Sequence, residues 1–311
     1  MLIDSHGRTV VSSLGWVDHA SLWVLRPPSA APEHIPLGEA RHLSLHAGDG
    51  DVFAAAHHFE ADRFAVTVHA FHDPARILAR AEIDRGGAQL EGDASVWSRV
   101  PRHYTTYFQP SASGYCLMRV RSAEGDVEAQ ALDWFDARYD KGYQAVVGAT
   151  EIPGRDEVIV AIQRDSRPVI HDPRIRAQVG ALELCGRLGN PTLRFRRHAN
   201  ELWADDYDTL VVLEPGSWRR LRSRRLQGAP FGTGEFIGRF CFDADEQSCY
   251  VARPYSRDVV TLDPRNLRVR SRCRFDAQPF EAVGLDDGTV VARDWKSGVL
   301  LRGPLRRVWL G

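Results

Sequence analysis

The stretch QSCYVARPYSRDVVTLDPRNLRVRSRCRF, residues 247–275, contains two runs rich in apolar residues, separated by the polar loop RPYSRD. A Leu-Asp-Pro turn follows the second run, and an alternating basic segment follows the turn. Short runs of β-branched and aromatic residues bounded by Pro, Asp and Ser are typical of β-strands. The stretch therefore predicts three consecutive strands, and the period of two in the last one predicts a strand with one face in water.

The same arrangement recurs along the chain. An apolar run ends at a proline in SLWVLRPP, VHAFHDP, PVIHDP, TLVVLEP, VVTLDP and VLLRGP, which end at Pro28, Pro74, Pro173, Pro215, Pro264 and Pro304. The first and last of these prolines are six steps of 46 residues apart. Seven copies fit this spacing if LMRVRSAEGD at 117–126 is a copy that has lost its proline. Four strands in each repeat of about 40 to 50 residues predict a β-propeller.

The repeats also resemble the YVTN family of propeller repeats, in which a run such as CYVA is followed by a turn and a run such as VVTLDP. We expect one all-β domain over 1–311, a seven-bladed β-propeller with four antiparallel strands per blade. The approximate blades are 1–40, 41–90, 91–140, 141–186, 187–230, 231–277 and 278–311. A pair of antiparallel β-sandwiches is the competing fold, and the recurring proline disfavours it.

The chain is also distantly similar to virginiamycin B lyase-like propellers, which work with a metal ion, histidine and glutamate. That motif does not match this sequence residue by residue, so no catalytic position is transferred from it. The resemblance implies fold more than activity.

Composition excludes several classes of partner. A formal net charge of −1 and a pI near 6.9 lack the basic footprint of a nucleic-acid or membrane-surface binder. The N-terminal segment MLIDSHGRTVVSS lacks the pattern of a signal peptide, and no apolar run has the length of a membrane span. We therefore expect a cytoplasmic protein that binds neither nucleic acid nor membrane.

Cysteines and glycines add little chemistry. Five cysteines show no paired metal-binding spacing, although Cys241 and Cys249 could face each other across a hairpin; free thiols are the expectation. The glycine-rich segment FGTGEFIG at 231–238 leads into a strand and not a helix, so we expect no nucleotide cofactor.

Loops between the second and third strands of the repeats should emerge at one mouth of a propeller. They carry a set of charged and aromatic residues that we predict to bind a small-molecule ligand: Asp206, Tyr207, Arg253, Tyr255, Arg293, Asp294, Trp295 and Lys296. Arginines would clamp a carboxylate or phosphate, and aromatic rings would form apolar walls. The alternative is a set of solvated turns with aspartates that cap backbone amides.

Histidines suggest a second feature of this mouth. In RHLSLHAGDGDVFAAAHH, residues 41–58, a two-residue turn at Asp49-Gly50 would place His42 opposite His57. With His19 and His58 nearby, the imidazoles could hold one divalent metal ion or serve as general acid and base. The alternative is that histidine is simply frequent in this region, since the chain has 12.

Two carboxylates could complete the histidine site. Glu235 and Glu281 each lie near the start of a first strand, where a channel-facing side chain could reach the same mouth. The predicted catalytic set is therefore His42, His57, Glu235 and Glu281.

Two functions remain open from the sequence. The first is an enzyme, a lyase or hydrolase acting on a small anionic or carbohydrate-like substrate in the axial pocket. The second is a non-catalytic scaffold that holds a protein or ligand on the same rim, because Arg, Tyr and Trp are also common in binding hot spots.

Overall fold

The structure is a computed structural model, and in several strands it describes the backbone alone. It describes residues 1–4, 8–14, 21–27, 31–37, 42–47, 52–58, 63–84, 90–93, 104–110, 115–123, 126–135, 146–162, 167–172, 174–175, 177–184, 191–226, 235–243 and 245–308. All regular secondary structure in these residues is β, as the repeats predicted. No helix among them is long and apolar enough to cross a membrane.

Hydrogen bonds group the described strands into seven antiparallel sheets, numbered here in chain order. Sheet 1 contains β1 (Leu2–Ile3), β2 (Val10–Leu14), β3 (Ser21–Leu25) and β4 (Glu33–Pro36). Sheet 2 contains β5 (His42–Ala47), β6 (Val52–His58), β7 (Arg63–Ala70) and β8 (Asp73–Asp84). Sheet 3 contains β9 (Leu90–Asp93), β10 (Tyr104–Pro110), β11 (Tyr115–Ala123) and β12 (Asp126–Phe135).

The second half of the chain continues this order. Sheet 4 contains β13 (Val146–Glu151), β14 (Val158–Ile162), β15 (Val169–Asp172) and β16 (Ala177–Ala181). Sheet 5 contains β17 (Leu193–Arg196), β18 (Glu201–Asp206), β19 (Thr209–Leu213) and β20 (Arg220–Arg225). Sheet 6 contains β21 (Phe240–Phe242), β22 (Cys249–Arg253), β23 (Asp258–Leu262) and β24 (Val269–Arg274), and sheet 7 contains β25 (Pro279–Gly284), β26 (Thr289–Asp294) and β27 (Leu300–Pro304).

The predicted order of strands within a repeat is confirmed. In sheets 5 and 6 the third strand is followed by a turn at 215–217 or 264–266 and then by the outer strand. The segment at 117–126, which lacks the proline, has the same order, because β11 pairs with β12 from Ala123 and Asp126 onward. Each repeat of the sequence pattern therefore corresponds to one sheet.

The last sheet departs from the prediction of four strands per repeat. The segment after β27 forms β28 (Arg306–Arg307), which pairs with β24 and so becomes a fifth strand of sheet 6. Within the described residues sheet 7 has three strands. The Val-rich strand β26 is largely buried and β27 is half-buried, but pairing of a strand across two repeats leaves no local signal.

Consecutive sheets pack face to face, which explains why their middle strands lack an alternating pattern. Every residue of β18 and β19 is buried, because sheet 4 covers one face of sheet 5 and sheet 6 covers the other. Leu202 and Ala204 pack toward sheet 4, whereas Trp203 packs toward sheet 6. Full burial of one such apolar side chain contributes about 1.5–3 kcal/mol.

Sheets 1 and 7 also share a buried cluster. Val10 and Leu25 from sheet 1 pack with Val283 and Val291 from sheet 7. The two ends of the described chain are therefore joined through apolar contacts.

No disulfide joins Cys241 and Cys249, the alternative to the free thiols that we expected. Both are free thiols, and the register pairs Cys241 with Tyr250 and Cys249 with Phe242. The Cys241 Sγ instead donates a hydrogen bond to the carbonyl oxygen of Ala282 at 2.8 Å.

Gly238, just before β21, lies very close to the backbone of sheet 7. A Cβ atom at this position would lie 2.3 Å from the carbonyl oxygen of Phe280, and a backbone atom cannot move without separating the sheets. We expect Gly238→Ala to lower the free energy of unfolding by about 1–3 kcal/mol, measured by urea denaturation. Gly180→Ala is the matched control, because its nearest neighbour is the Ile170 Cδ1 methyl at 3.3 Å, which can shift. Equal losses in the two variants would contradict the close-approach argument.

Candidate functional site

Three loops of sheets 5, 6 and 7 present an aromatic side chain one or two residues after the end of the second strand. Tyr207, Tyr255 and Trp295 are 36%, 52% and 48% exposed, although aromatic rings are usually more buried than this. All three were predicted as ligand-binding residues. Their exposure agrees with that role without testing it.

Phe236 links these rings into one aromatic cluster, defined as Tyr207, Phe236, Tyr255, Phe280 and Trp295. The centroid of the Phe236 ring lies 4.8 Å from that of Tyr255 and 5.2 Å from that of Trp295, both edge-on. Phe280 stacks on Trp295 at 5.6 Å. Edge-on and stacked contacts of this length are favourable beyond simple burial, so the cluster is a preformed apolar surface.

Glu235 fixes the loop that carries Tyr255. This carboxylate is fully buried and accepts hydrogen bonds from the backbone N–H groups of Tyr255 at 3.2 Å and Ser256 at 2.8 Å. The Ser256 hydroxyl and the N–H of Phe236 donate to it as well. Predicted as catalytic, Glu235 thus lies beneath the aromatic cluster with its oxygens engaged by the protein.

Glu281 lies at the centre of a charged group next to the aromatic cluster. Its carboxylate is 2.6 Å from the Met1 ammonium, 3.4 Å from Arg293 and 3.9 Å from Arg239. The Arg239 guanidinium in turn lies over the Phe280 ring, 5.9 Å from its centroid. The arginine cluster, defined as Arg194, Arg239 and Arg293, therefore borders the aromatic cluster.

The pKa shifts of this group reflect both its burial and its cationic members. Burial alone would raise the pKa of Glu281, but the Met1 ammonium, Arg239 and Arg293 outweigh burial and hold the pKa well below its usual range. Desolvation and then the charge of Arg239 lower the pKa of Arg194. One carboxylate thus faces the Met1 ammonium and the guanidinium groups of Arg239 and Arg293, an arrangement that favours a bound anion.

Arg253, predicted as an anion clamp, is already engaged. Its Nε and Nη2 donate to the two carboxylate oxygens of Asp258 at 2.8 and 2.7 Å, and both residues are buried. Arg272 contacts the same carboxylate. The sequence could not distinguish this internal pair from a ligand contact, because both use the same residue types.

The aspartates of these loops act on the backbone. Asp294 accepts hydrogen bonds from the N–H of Gln278 and the N–H of Ser297, each at 2.8 Å. Asp206 is fully buried, whereas Lys296 is exposed. The alternative of aspartates that cap backbone amides therefore holds for Asp294, while the neighbouring Trp295 remains available at the surface.

The register between β5 and β6 differs by one residue from the register that we predicted for the histidines. β5 pairs with β6 so that His42 lies opposite His58 and His57 lies opposite Leu43, which makes the predicted pairing of His42 with His57 wrong by one residue. A one-residue slip in register exchanges the two faces of a strand.

The metal site itself is not described. His19 lies outside the described residues, as do the side chains of His42, His57 and His58. Among the described residues no group of three or more His, Cys, Asp or Glu could hold a metal ion. The histidine metal site stays a prediction.

Sequence reasoning missed the inner residues of the site. Phe236 and Arg239 lie in FIGRF, and Phe280 lies in PFEAV, segments that we interpreted only as strands. The available signal is a charged residue set between apolar residues just where a first strand begins. Arg194 in TLRFRR follows the same pattern.

Comparison with solved structures identifies the chain as a β-propeller. The periplasmic gluconolactonase PpgL of Pseudomonas aeruginosa has a TM-score of 0.63 at 15% identity, over 97% of this chain and 100% of that one. A candidate 6-phosphogluconolactonase of Bacteroides uniformis has a TM-score of 0.64 at 10% identity, over 97% and 95% of the two chains. The β-propeller domain of Cps50 (Swd1) of Myceliophteria thermophila has a TM-score of 0.62 at 12% identity, over 98% and 99%.

These identities show the fold alone. No protein-family model matches the chain, and no curated protein matches its sequence. The likeness to YVTN repeats therefore stays a resemblance of sequence pattern.

Proposed function

We propose that the protein is a hydrolase acting on an anionic, carbohydrate-like lactone at the mouth formed by sheets 5, 6 and 7. The observation that carries the proposal is the contact between an exposed aromatic cluster and an arginine cluster through Arg239 and Phe280. A sugar ring offers an apolar C–H face to aromatic rings, and its carboxylate or phosphate needs guanidinium partners. Two structural neighbours are described as a gluconolactonase and a candidate 6-phosphogluconolactonase, names that refer to sugar lactones.

We assign separate roles to the aromatic residues, the arginines and Glu281. Trp295 and Tyr255 hold the sugar ring, and Arg239 and Arg293 hold the anionic group or stabilise the oxyanion that develops when water attacks the lactone carbonyl. Glu281, ionised by its cationic neighbours, orients both guanidinium groups. Water adds to the carbonyl carbon, the ring C–O bond breaks, and the ring oxygen takes up a proton. The general acid and base remain assigned to the histidines of β5 and β6.

The test is an assay of lactone hydrolysis by pH-stat with subtraction of the spontaneous rate. The substrates are glucono-1,5-lactone, its 6-phosphate and δ-valerolactone, which has neither hydroxyls nor charge. We expect acceleration of the phosphorylated lactone above all, and a fall in kcat/KM of about 10²–10³-fold in Arg239→Ala. We expect Trp295→Ala to raise KM, because it removes a binding surface that acts before the chemical step.

The matched control is Arg302→Ala. Arg302 lies on β27, and its guanidinium pairs with Asp287. This variant should keep the wild-type kcat/KM. Absence of any acceleration, or equal activity of the Arg239 and Arg302 variants, would overturn the proposal.

A binding scaffold is the second candidate function. It is favoured by the exposure of Tyr255 and Trp295, which are residue types that dominate interface hot spots. In that case the folded protein would hydrolyse none of the three lactones.

We also infer that the seven sheets are the seven blades of a closed ring. The support is the apolar cluster shared by sheets 1 and 7 and the ion pair between Met1 and Glu281. Closure of this kind would bring the Met1 ammonium to the channel wall beside the arginine cluster.

A further inference from the structure

Arginine is strongly concentrated on the outer strands of the last three sheets. The stretches 218–226, 264–275 and 302–308 contain 13 arginines and no acidic residue. They include β20, β24 and β28 together with the end of β27. A chain with a net charge of −1 thus carries a local basic surface.

The pairing of β24 with β28 gathers five of these arginines into a basic ribbon, defined as Arg270, Arg272, Arg274, Arg306 and Arg307. Arg306 lies directly opposite Arg272 in the register, so the two side chains lie on one face of the sheet. Alternate residues of a strand share a face, which adds Arg270 and Arg274. Arg307 lies opposite Ser271 and so extends the ribbon to the other face of the edge strand β28. Like charges placed opposite each other across strands repel.

Two members of the basic ribbon have internal partners in the described part of the chain. Arg270 pairs with Asp263 at 2.6 Å, and Arg272 pairs with the buried Asp258. Within the part of the chain that the structure describes, Arg274, Arg306 and Arg307 make no ion pair, and all three are exposed. The ribbon therefore has uncompensated positive charge, which an external anion would neutralise.

The dimensions of the ribbon suit a short acidic segment. β24 has six residues and so spans about 20 Å, the length of about six residues of extended peptide. The ribbon itself contains no aromatic residue on which a base could stack, as single-stranded nucleic acid requires. All 41 acidic residues lie outside the arginine-rich stretches. A long nucleic-acid backbone would extend beyond the ribbon toward these negative charges, which would repel it.

We propose that the basic ribbon binds an acidic segment of a partner protein, about six residues long and rich in Asp or Glu. Guanidinium groups bind carboxylates through paired, directional hydrogen bonds, and a surface of one charge accelerates association with its partner. The ribbon lies on the outer strands of sheet 6, whereas Phe236 and Arg239 precede the first strand of that sheet. Binding there is independent of hydrolysis.

The experiment is fluorescence anisotropy of a labelled hexaglutamate peptide titrated with the whole protein at about 50 mM and about 150 mM salt. We expect binding that weakens with salt and falls by about tenfold or more in the triple variant Arg274→Ala, Arg306→Ala, Arg307→Ala. The control triple variant Arg8→Ala, Arg76→Ala, Arg155→Ala removes three exposed arginines elsewhere and should bind like the wild type.

Three outcomes would overturn the proposal. They are no anisotropy change at the lower salt, equal loss in both triple variants, and tighter binding of a 12-base-pair DNA duplex than of the peptide. Arg306→Glu, a single exposed substitution, keeps the test valid should the triple variant fail to fold, since charge reversal there should weaken peptide binding as well.

Discussion

The free energy of unfolding of Asp205→Asn is expected to rise relative to that of the wild type by about 3–4 kcal/mol as the pH increases from 5 to 8. Burial raises the pKa of Asp205 to about 8, although hydrogen bonds from Thr192 act in the opposite direction. The folded protein therefore holds a proton that the unfolded chain releases near pH 4. Folding then takes up a proton, so the contribution of Asp205 is complete at low pH and is lost as the pH rises toward 8.

Asparagine removes this dependence without removing the contact. Its side-chain oxygen can still accept the hydrogen bond from the Thr192 N–H, which is 2.6 Å from Asp205 Oδ1, and it does not ionise. The free energy of unfolding should be measured by urea denaturation at pH 5, 6, 7 and 8 for both proteins. A difference between them that stays constant with pH would refute the assigned pKa.

Asp263→Asn supplies the control of opposite sign. Asp263 is buried in part, which opposes ionisation, but hydrogen bonds from Arg265 and Arg270 outweigh this and lower its pKa. Its contribution is present above the ordinary pKa of aspartate and is lost only as the pH falls below it. The difference between Asp263→Asn and wild type should therefore be flat from pH 5 to 8.

The second large effect is expected at Asp258. This fully buried carboxylate is paired with Arg253 and Arg272, so Asp258→Ala removes the negative charge that these two guanidinium groups share. Removal of one partner from a buried ion pair costs about 3–5 kcal/mol, because the remaining charge stays desolvated. We expect a loss of that size in the free energy of unfolding.

A surface pair provides the comparison. Arg26 and Glu33 are 2.5 Å apart with side chains 38% and 56% exposed, and Glu33→Ala should cost at most about 1 kcal/mol. Asp258→Asn, which keeps the shape and removes the charge, should fall near Asp258→Ala. A cost for Asp258→Ala no greater than that of Glu33→Ala would show that water reaches the buried pair.

The sequence predicts the fold of this chain better than it predicts the site. Strand order follows from local signals, such as the proline turns at 215–217 and 264–266, and the structure reproduces it. The exchange of β28 into sheet 6 depends on which edge accepts a strand, and no local pattern records that choice.

Site residues depend on contacts between repeats. Tyr255 and Trp295 were predicted as ligand-binding residues because the loops that carry them are both polar and aromatic. Arg253 is of the residue type expected to bind an anionic ligand, yet it is paired with Asp258, five residues away. Arg239 was missed because its neighbours across the sheet boundary, Phe280 and Glu281, belong to the next repeat.

The hydrogen bonds of Glu235 also bear on the entropy of ligand binding. Because this carboxylate holds the N–H groups of Tyr255 and Ser256, the loop at the mouth of sheet 6 loses its conformational freedom when the chain folds. A ligand that settles on the Tyr255 ring then has little of that freedom left to remove, and ordering costs of about 0.5–1.5 kcal/mol per immobilised side chain are reduced. Glu235 would thereby act on affinity without touching the ligand.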